Sequence, residues 1–403
     1  MKPDLLKGIR IVDLTTYAAA PGAGRMMADW GADVIKVETF GGDPMRGFGN
    51  TMGVPATDEE NPVWELENGN KRGVAIDMKN PKGKEVMLKL IATADAFISN
   101  VRLGSLQKMG LDYETLAPLF PKLVWGHISG YGIYGAEAPR PGYDVVSYWA
   151  RGGSLVDTPP IGHPPITTPF GVGDHTASLV LLSGVLAGIN KAKASGQGEK
   201  VVVSLYGTAV WINSLMVVGT QFGDTYPKDR YLPSSPFTNS YQCSDGEWIT
   251  LTILAYERYW NAFCDALEIP EIMEDKRFST LKAAKVPENN RALCHVLEEA
   301  FIKKDSAYWV ERLTAADIAF ERCRHYSEVS KDPQAIANNY VAPFTMKSGK
   351  SFMLPMTPVQ FSVNEALDSA PAPMIGEHTE AVLKELGYSE ADIAALKEAK
   401  AIN

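Results

Sequence analysis

The stretch that decides the fold runs from residue 8 to residue 38 and reads GIRIVDLTTYAAAPGAGRMMADWGADVIKVE. Its apolar, β-branched run at Ile9–Leu14 predicts a strand, Pro21–Trp30 a helix, and Ala32–Val37 a second strand. Strands that alternate with helices are typical of βαβ units, which build a parallel sheet. Because these strands are continuously apolar, we expect both faces of the sheet to be covered.

The same alternation continues to about residue 130. Short apolar runs predict strands at Val74–Ile76, Ala96–Ser99 and Leu123–Ile128, and Pro81–Ala94 has the apolar spacing of an amphipathic helix. A segment rich in glycine and proline follows over 131–175, and loops of that length are commonly functional. The sequence therefore predicts an α/β fold with a long functional loop.

Residues 201–223 carry no charged side chain and are long enough to span a bilayer. Polar residues within the segment, among them Ser204 and Asn213, favour a buried strand followed by a buried helix. We therefore expect no membrane partner.

After Gly223 the sequence no longer alternates between apolar strands and helices. The segment YQCSDGEWITLTIL predicts a hairpin that turns at Asp245–Gly246, and AFERCRHYSEV, after several helices, is predicted to lead back to the main sheet. The predicted division has four parts: a large domain at 1–200, a connecting strand and helix at 201–224, a small domain at 225–330, and a segment at 331–403 that returns to complete the large domain.

Composition narrows the functional class. The chain has 403 residues, 45% hydrophobic and 22% charged, which is ordinary globular usage and excludes a mostly disordered protein. A net charge of −9 argues against a general nucleic-acid binder but leaves room for a local basic pocket. Four cysteines without a CxxC pair predict neither a zinc site nor a disulfide framework, and Asp4 stands where a signal peptide needs an apolar core. We expect a cytoplasmic protein.

One motif resembles a dinucleotide fingerprint. Gly22 and Gly24 follow the first strand, and Glu38 ends the second, as in a nicotinamide site. However, Met27 stands where the third glycine belongs, and the turn after Leu14 is too long for a tight phosphate loop. We expect no nicotinamide cofactor.

The segment GVGDHTAS places Asp174 in a glycine-lined loop ahead of an apolar helix. One interpretation is a helix N-cap. The other is a carboxylate nucleophile, since Gly171 and Gly173 leave room for a bulky substrate and a helix N-terminus favours the ionised form. Both remain open on the residues alone, and neighbouring His175 is interpreted as a hydrogen-bonding loop residue.

The six histidines show no metal spacing, and no serine lies in a GxSxG elbow. Basic residues near predicted strand ends are candidates for binding phosphates, although a solvated surface would give the same composition. These basic residues include Lys71, Arg72, Lys79, Arg102, Lys108 and Arg140.

Taken together, the motifs resemble the family III CoA-transferases, the CaiB/BaiF group that includes formyl-CoA transferase. The resemblance extends over the chain through GGDPMRG, NGNKRGVAIDMKNPKGKEV, DAFISNVRLGSLQKMGLDYETL, SGYGIYG, RPGYD, GDH, GQGEKVVVSL and MIGEHTEAVLKELGYS. It implies a Rossmann-like large domain built from both chain ends, a small middle domain and a homodimer of interlaced rings. It also implies coenzyme A, as an acyl-CoA co-substrate, and no metal.

Carried over residue by residue, the family's nucleophile falls on Asp174. The CoA contacts fall on Thr16, Tyr17, Ala18, Ala19, Ile76, Lys79, Asn100, Val101 and Lys108, with Arg140 a looser match. The predicted substrate pocket contains Phe48, Trp64, Tyr143, Gly171, Gly173 and His175, and further aromatic candidates are Trp149, Phe170 and Tyr231.

The chain also departs from formyl-CoA transferase. Ala18 stands where that enzyme has glutamine, Thr39 where it has arginine, and SPFTNSYQCSDG lacks its glycine-rich gating loop. Ser178 stands where many members have glycine. The resemblance is instead greatest to the anaerobic 2-hydroxyacyl branch, which serves (R)-phenyllactate or (R)-2-hydroxyisocaproate in amino-acid fermentation.

Three alternatives stay open at this point. A formyl- or oxalyl-type transferase would share the fold. An α-methylacyl-CoA racemase would need a histidine in a GHD motif, where this chain has Tyr143, and tyrosine is a poor base at neutral pH. A CoA-binding protein without turnover would not need Asp174.

For the transferase we expect a mixed anhydride and an aspartyl-CoA thioester on Asp174, with backbone amides of Gly171–His175 as oxyanion donors.

Overall fold

The computed structural model describes residues 4–362 and 369–403, and the chain forms two compact units. The first unit comprises Met1–Gly153, Thr168–Val217 and Ser330–Asn403. The second comprises Ser154–Thr167 and Val218–Val329.

Eleven strands lie within the described residues. They are β1 Arg10–Leu14, β2 Asp33–Glu38, β3 Arg72–Ala75, β4 Ala96–Ser99, β5 Val124–Ser129, β6 Lys200–Ser204, β7 Ser240–Gln242, β8 Trp248–Leu251, β9 Phe320–Arg322, β10 Val341–Thr345 and β11 Ser351–Pro355.

The helices connect these strands. In the first half they are α1 Pro21–Asp29, α2 Met45–Met52, α3 Pro62–Asn68, α4 Pro81–Ile91, α5 Leu103–Met109, α6 Tyr113–Leu119, a π-helical turn Asp144–Ala150, α7 Ser154–Asp157 and α8 Val172–Ser195. They continue as α9 Leu205–Ile212, α10 Ser214–Thr220, α11 Tyr256–Ala266, a 3-10 turn Pro270–Ile272, α12 Leu281–Ala284, α13 Pro287–Phe301, α14 Ser306–Ala315, α15 Tyr326–Val329, α16 Pro333–Ala337, α17 Thr379–Glu385 and α18 Glu390–Glu398.

The first unit is built on a six-stranded sheet in the order β3-β2-β1-β4-β5-β6. Every neighbouring pair is parallel, and Val12 of β1, for example, pairs with Ile35 on one side and Phe97 on the other. This is the doubly wound order, in which the chain reverses direction across the sheet between β1 and β4. The predicted α/β fold is confirmed.

Both faces of the sheet are covered, as the continuous apolar strands predict. On one face Ile11 and Ile98 pack in a core with α1 and α8. On the other, Val12 and Phe97 pack in a second core with the helices between strands and with the C-terminal helices α17 and α18. Helix α8 is apolar and long enough to cross a membrane, but its inner face, including Leu181 and Val185, is buried in the first of these cores.

The uncharged segment 201–223 differs from the prediction of a buried strand and a buried helix. Its strand, β6, is the edge of the sheet and only Val203 is fully buried. Helix α9 buries Leu205, Thr208 and Ala209 but leaves Trp211 74% exposed. Helix α10 has no buried residue, and its Leu215 is 83% exposed. The strand and the helix form as predicted, but their burial is only partial, because apolar composition alone does not distinguish a core helix from an exposed apolar face.

The second unit contains a three-stranded antiparallel sheet in the order β7-β8-β9. The hairpin around Asp245 and Gly246 forms as predicted, between β7 and β8. The segment AFERCRHYSEV was expected to lead back to the main sheet, but its strand β9 pairs with β8. Helices α11, α13 and α14 cover this sheet with an aromatic core that includes Phe237 and Trp260.

Candidate functional site

A cavity of about 760 Å³ opens in the first unit at the carboxyl ends of β1, β4 and β5. Ligands of doubly wound sheets bind at this edge, where the strand order reverses. Its walls come from the loops after these three strands, from α5 and from the start of α8, and include Tyr17, Asn100, His127, Arg140 and Asp174. The volume is in the range of small-molecule and cofactor sites.

The loops after β1 and β4 are joined by a reciprocal pair of hydrogen bonds. The Thr16 amide donates to Oδ1 of Asn100 at 2.8 Å, and Nδ2 of Asn100 donates to the Thr16 carbonyl at 2.7 Å. Tyr17, the next residue, has φ 61°, a left-handed conformation that non-glycine residues rarely adopt. Its amide donates to Asp43 at 3.1 Å, which holds this conformation in place.

A buried group of charged side chains packs against the loop after β1 and stabilises it. Nζ of Lys36 donates to the Thr15 carbonyl at 2.6 Å and to Asp43 at 2.8 Å, and Nζ of Lys71 donates to Asp13 at 2.9 Å. Burial raises the pKa of Asp13, but the charges of Lys71 and Lys36 lower it more, and the net pKa is below its ordinary value. Asp13 is therefore ionised, and both lysines stabilise its charge.

Asp174 is the third residue of α8, because the helix begins at Val172 and its N-cap is Gly171. The N-cap interpretation of Asp174 is therefore wrong. Gly171 has φ 73°, which a residue with a side chain rarely adopts. The Asp174 carboxyl lies at the cavity wall, and burial, with the charges of Asp144 and Glu67, raises its pKa to about 7, while His175 lowers it.

Asp144 is the first residue of the π-helical turn, and it is 7% exposed. A Cβ on Gly173 would collide with its carboxylate, so the glycine lets the two segments meet. Burial raises the pKa of Asp144, while the amides of Gly173, Asp174 and Gly171 oppose this rise. The donation of backbone amides of Gly171–His175 to an oxyanion stays a prediction, and one of them, the His175 amide, donates to the Gly171 carbonyl at 2.8 Å.

His175 follows Asp174 and is paired with Glu67 of α3. Its Nε2 donates to Oε1 of Glu67 at 2.7 Å, and the His175 amide donates to the Gly171 carbonyl at 2.8 Å. The Glu67 side chain is 2% exposed and the His175 side chain 49%. A buried carboxylate thus fixes a half-exposed imidazole beside Asp174.

Aromatic rings surround the mouth of this site. Tyr17 makes edge-to-face contacts with Phe48 and Tyr143, at centroid distances of 6.4 and 6.2 Å, and Phe48 contacts Phe170 at 5.8 Å. Tyr143 and Phe170 are more than half exposed. Exposed apolar rings grouped in this way form a surface suited to an apolar ligand.

The structure brings nine of the predicted residues to the cavity. Its walls contain Thr16, Tyr17, Ala19, Asn100, Val101, Lys108, Arg140, Tyr143 and Asp174. Gly171, Gly173 and His175 adjoin Asp174 at the start of α8.

Other predicted residues lie away from the cavity walls. Ala18 and Trp64 pack in a small core, where Nε1 of Trp64 donates to the Pro373 carbonyl at 3.1 Å. Ile76 is buried and bridges to Ile402, and Lys79 is exposed after β3. Of the further aromatic candidates, Trp149 packs on the main core and Tyr231 lies in the second unit beside His295.

Sequence reasoning missed the acidic neighbours of Asp174. Glu67 is 108 positions from His175 in sequence, and no local spacing connects them. Asp144 ends the motif RPGYD, and nothing in that motif connects it to Asp174. Within residues 4–362 and 369–403 there is no group of three His, Cys, Asp or Glu side chains arranged to hold a metal ion.

Comparisons with known proteins agree with this geometry. The family model described as CoA-transferase family III matches residues 6–379. The chain is 38% identical over 398 residues to (R)-2-hydroxy-4-methylpentanoate CoA-transferase of Clostridioides difficile, with 99% of both chains covered. It is 34% identical over 404 residues to cinnamoyl-CoA:phenyllactate CoA-transferase of Clostridium sporogenes, covering 99% of this chain and 97% of that one.

Among solved structures, a CaiB/BaiF family protein from Brucella suis is similar to this chain with a TM-score of 0.81 and 27% sequence identity. The similarity covers 94% of this chain and 99% of that protein.

Proposed function

The chain belongs to the family III CoA-transferases and is an enzyme of that family, and we propose that it transfers CoA from an acyl-CoA to a medium-sized, apolar 2-hydroxycarboxylic acid. (R)-2-Hydroxyisocaproate, which is (R)-2-hydroxy-4-methylpentanoate, and (R)-phenyllactate are the candidate acids. The observation that carries the proposal is the Asp174 carboxyl at the wall of the strand-end cavity, beside a cluster of exposed aromatic rings.

The proposed reaction proceeds through covalent intermediates on Asp174. Its carboxylate attacks the donor thioester carbonyl, which gives an aspartyl–acyl anhydride and releases CoA thiolate. The thiolate attacks the aspartyl carbonyl, releases the donor acid and leaves an aspartyl-CoA thioester. The acceptor carboxylate attacks this thioester, and the freed thiolate then attacks the acceptor's acyl carbonyl, which forms the new acyl-CoA and regenerates Asp174.

The environment of Asp174 suits a group that changes its charge during the reaction. Burial and two neighbouring acids disfavour the ionised form, and a pKa of about 7 leaves both forms populated at neutral pH. A partly desolvated carboxylate is a better nucleophile than one surrounded by water. The same exclusion of water protects the anhydride from hydrolysis.

We propose that CoA itself binds along the cavity to residues of the domain at 1–200. Arg102, Lys108 and Arg140 lie at the walls and supply positive charge for phosphates. The loops at Thr16 and Asn100 supply the rest of the groove. Ile76 and Lys79 are assigned to a more distant part of CoA, and Ala18 contacts it through its backbone.

The side chain of the acid is proposed to bind the aromatic surface formed by Tyr17, Phe48, Tyr143 and Phe170. Gly171 and Gly173 leave room for it beside Asp174. Full burial of an isobutyl or benzyl group contributes roughly 1.5–3 kcal/mol, about a ten- to hundredfold preference over methyl. Trp64 supports Phe48 from the core behind this surface.

We further propose that the enzyme is a cytoplasmic homodimer of interlaced chains, with neither nucleic acid nor membrane as partner. Support comes from the exposed apolar face at Trp211, Ile212, Leu215 and Val217, which a second copy would bury. Sedimentation at micromolar concentration should give one dimeric species. A monomer would contradict this part of the proposal.

The test of the substrate is a comparison of kcat/KM for four acceptor acids with one acyl-CoA donor. We expect (R)-2-hydroxyisocaproate and (R)-phenyllactate to exceed lactate by at least about tenfold, because lactate has only a methyl group to bury. Oxalate should be poor, since it has two charges and no apolar surface. A tenfold preference for oxalate or lactate would show a small or cationic pocket and overturn the proposal.

A further inference from the structure

The two ring nitrogens of His175 have different surroundings. Nε2 donates to Glu67 at 2.7 Å, whereas Nδ1 has no hydrogen-bond partner in the part of the chain that the structure describes. Because Glu67 is buried at the end of α3, it fixes the plane of the imidazole. Nδ1 lies 3.9 Å from the position that a Cβ on Gly171 would occupy, so the absent side chain leaves space beside it.

The negative charges around Asp174 repel an anionic substrate. Asp174 of α8 faces Asp144 of the π-helical turn and Glu67 of α3, so three carboxyl groups interact at one place. The acceptor acid also arrives as an anion, since carboxylic acids of this kind ionise well below pH 7. Like charges repel strongly where water is partly excluded. His175 is the group that offsets the negative charge acting on Asp174.

We propose that His175 is the carboxylate-binding residue for the acceptor acid, and that Glu67 is the positioning residue that holds it; this inference rests on the proposed function. The imidazolium donates through Nδ1–H to the carboxylate of the acid and offsets its charge as the acid approaches Asp174. Glu67 does not touch the acid. No proton is transferred, because the imidazolium keeps both of its protons throughout.

The electrostatics of the pair agree with this role. The hydrogen bond to Glu67, helped by the charges of Asp174 and Asp144, raises the pKa of His175, although burial opposes the rise. His175 is protonated below that raised pKa and neutral above it. The KM for the acid should therefore rise as the pH passes through the His175 pKa, whereas the KM for the acyl-CoA should not follow it.

The experiment measures both KM values as a function of pH for the full-length enzyme, with (R)-2-hydroxyisocaproate as acceptor. His175→Gln removes the cation and should raise the KM for the acid at least about tenfold, the usual loss for a hydrogen bond to a charged group. The KM for the acyl-CoA should stay within about twofold. His175→Lys keeps a cation and should restore most of the affinity while abolishing the rise of KM with pH, because lysine stays protonated well above neutral pH.

Two further variants separate orientation from charge. Glu67→Gln still accepts from Nε2–H but has no charge, so the rise in KM for the acid should begin at a lower pH. His325→Gln changes an exposed histidine of the second unit and is the matched control, with both KM values unchanged. Melting curves of every variant check the fold.

The inference is overturned if His175→Gln leaves the KM for the acid unchanged, or raises both KM values equally, as a merely structural role would. If His175→Gln does not fold, the pH dependence of KM in the wild type and in His175→Lys decides the matter. A wild-type enzyme that transfers CoA to acids without any 2-hydroxy-acid preference contradicts the proposed substrate class, but the comparison of His175 variants with whichever acid it accepts still decides this inference.

Discussion

Two of the buried groups of carboxyl side chains in the first unit have their charge compensated in opposite ways. Below the loop after β1, Asp13 lies between Lys71 and Lys36, and the pKa of Asp13 falls below its ordinary value. At the start of α8, Asp174 lies near two other acids and one half-exposed histidine, and its pKa rises to about 7. The paired cluster stabilises a backbone conformation, whereas the underpaired cluster retains a reactive group.

The difference shows which buried charges are candidates for chemistry. A carboxylate that is fully paired has little tendency to gain a proton or to form a bond. A carboxylate near other acids is destabilised as an anion, so reactions that consume its charge are favoured. The comparison makes opposite predictions for substitutions at the two places.

The largest effect is expected for Asp174→Ala. No covalent path remains, so CoA transfer should fall at least about a thousandfold. The measurement is kcat for CoA exchange, together with trapping of the acyl-enzyme by hydroxylamine, which should label the wild-type enzyme at Asp174.

Stability should change little in this variant, or increase. A raised carboxyl pKa means that the folded state holds its proton more tightly than the unfolded state between pH 3.8 and about 7. Ionising Asp174 therefore costs stability as the pH rises through this range, and the variant escapes that cost. The difference in melting temperature, Asp174→Ala minus wild type, should therefore be larger at pH 8 than at pH 5. Near wild-type turnover would refute the assignment of the nucleophile.

The next largest effect is expected for Lys71→Met, which should destabilise the fold by about 3–5 kcal/mol because it leaves Asp13 buried with one cation fewer. Denaturant unfolding measures this free energy. Lys191→Met is the matched control, since Lys191 pairs with Glu199 at the surface and the loss should be below about 1 kcal/mol. Equal losses in the two variants would contradict the distinction between the clusters.

A smaller effect is expected for Asp144→Asn. Removing this charge should lower the pKa of Asp174, because Asp144 is one of the groups that raise it. The acid limb of the pH profile of kcat/KM should move to lower pH, so that activity increases at pH 6 relative to pH 8. An unchanged profile would show that the two carboxyl groups do not interact. Asp157→Asn, in the second unit, is the control.

The sequence predicted the sheet well because its strands are short apolar runs bounded by helices. Ala96–Ser99 was predicted to the residue, and Ile9–Leu14 differs from β1 by one residue. The exposed face of α10 was not predicted, since residues that form an apolar surface have the same composition as residues of a core. The pairing of β9 with β8 also has no local signal.

The site was predicted in part. Asp174 and the loops at Thr16 and Asn100 follow from motifs that keep their order along the chain. The partners that set the charge of the site do not, since Glu67 and His175 meet only through the packing of α3 near α8. A contact between residues so far apart is determined by tertiary structure, and no periodicity in the sequence reports it.

The return of the C-terminal segment to the sheet has a consequence for synthesis. Helices α17 and α18 supply Val382 and Ile393 to the core on one face of the sheet, and the His378 amide donates to the Gly73 carbonyl at 2.8 Å. During translation the part of that face that α17 and α18 cover stays exposed until these two helices have emerged from the ribosome. The second unit, by contrast, is fully available once residue 329 has emerged. The second unit is thus able to fold before the first, whose early strands complete their core only when α17 and α18 are available.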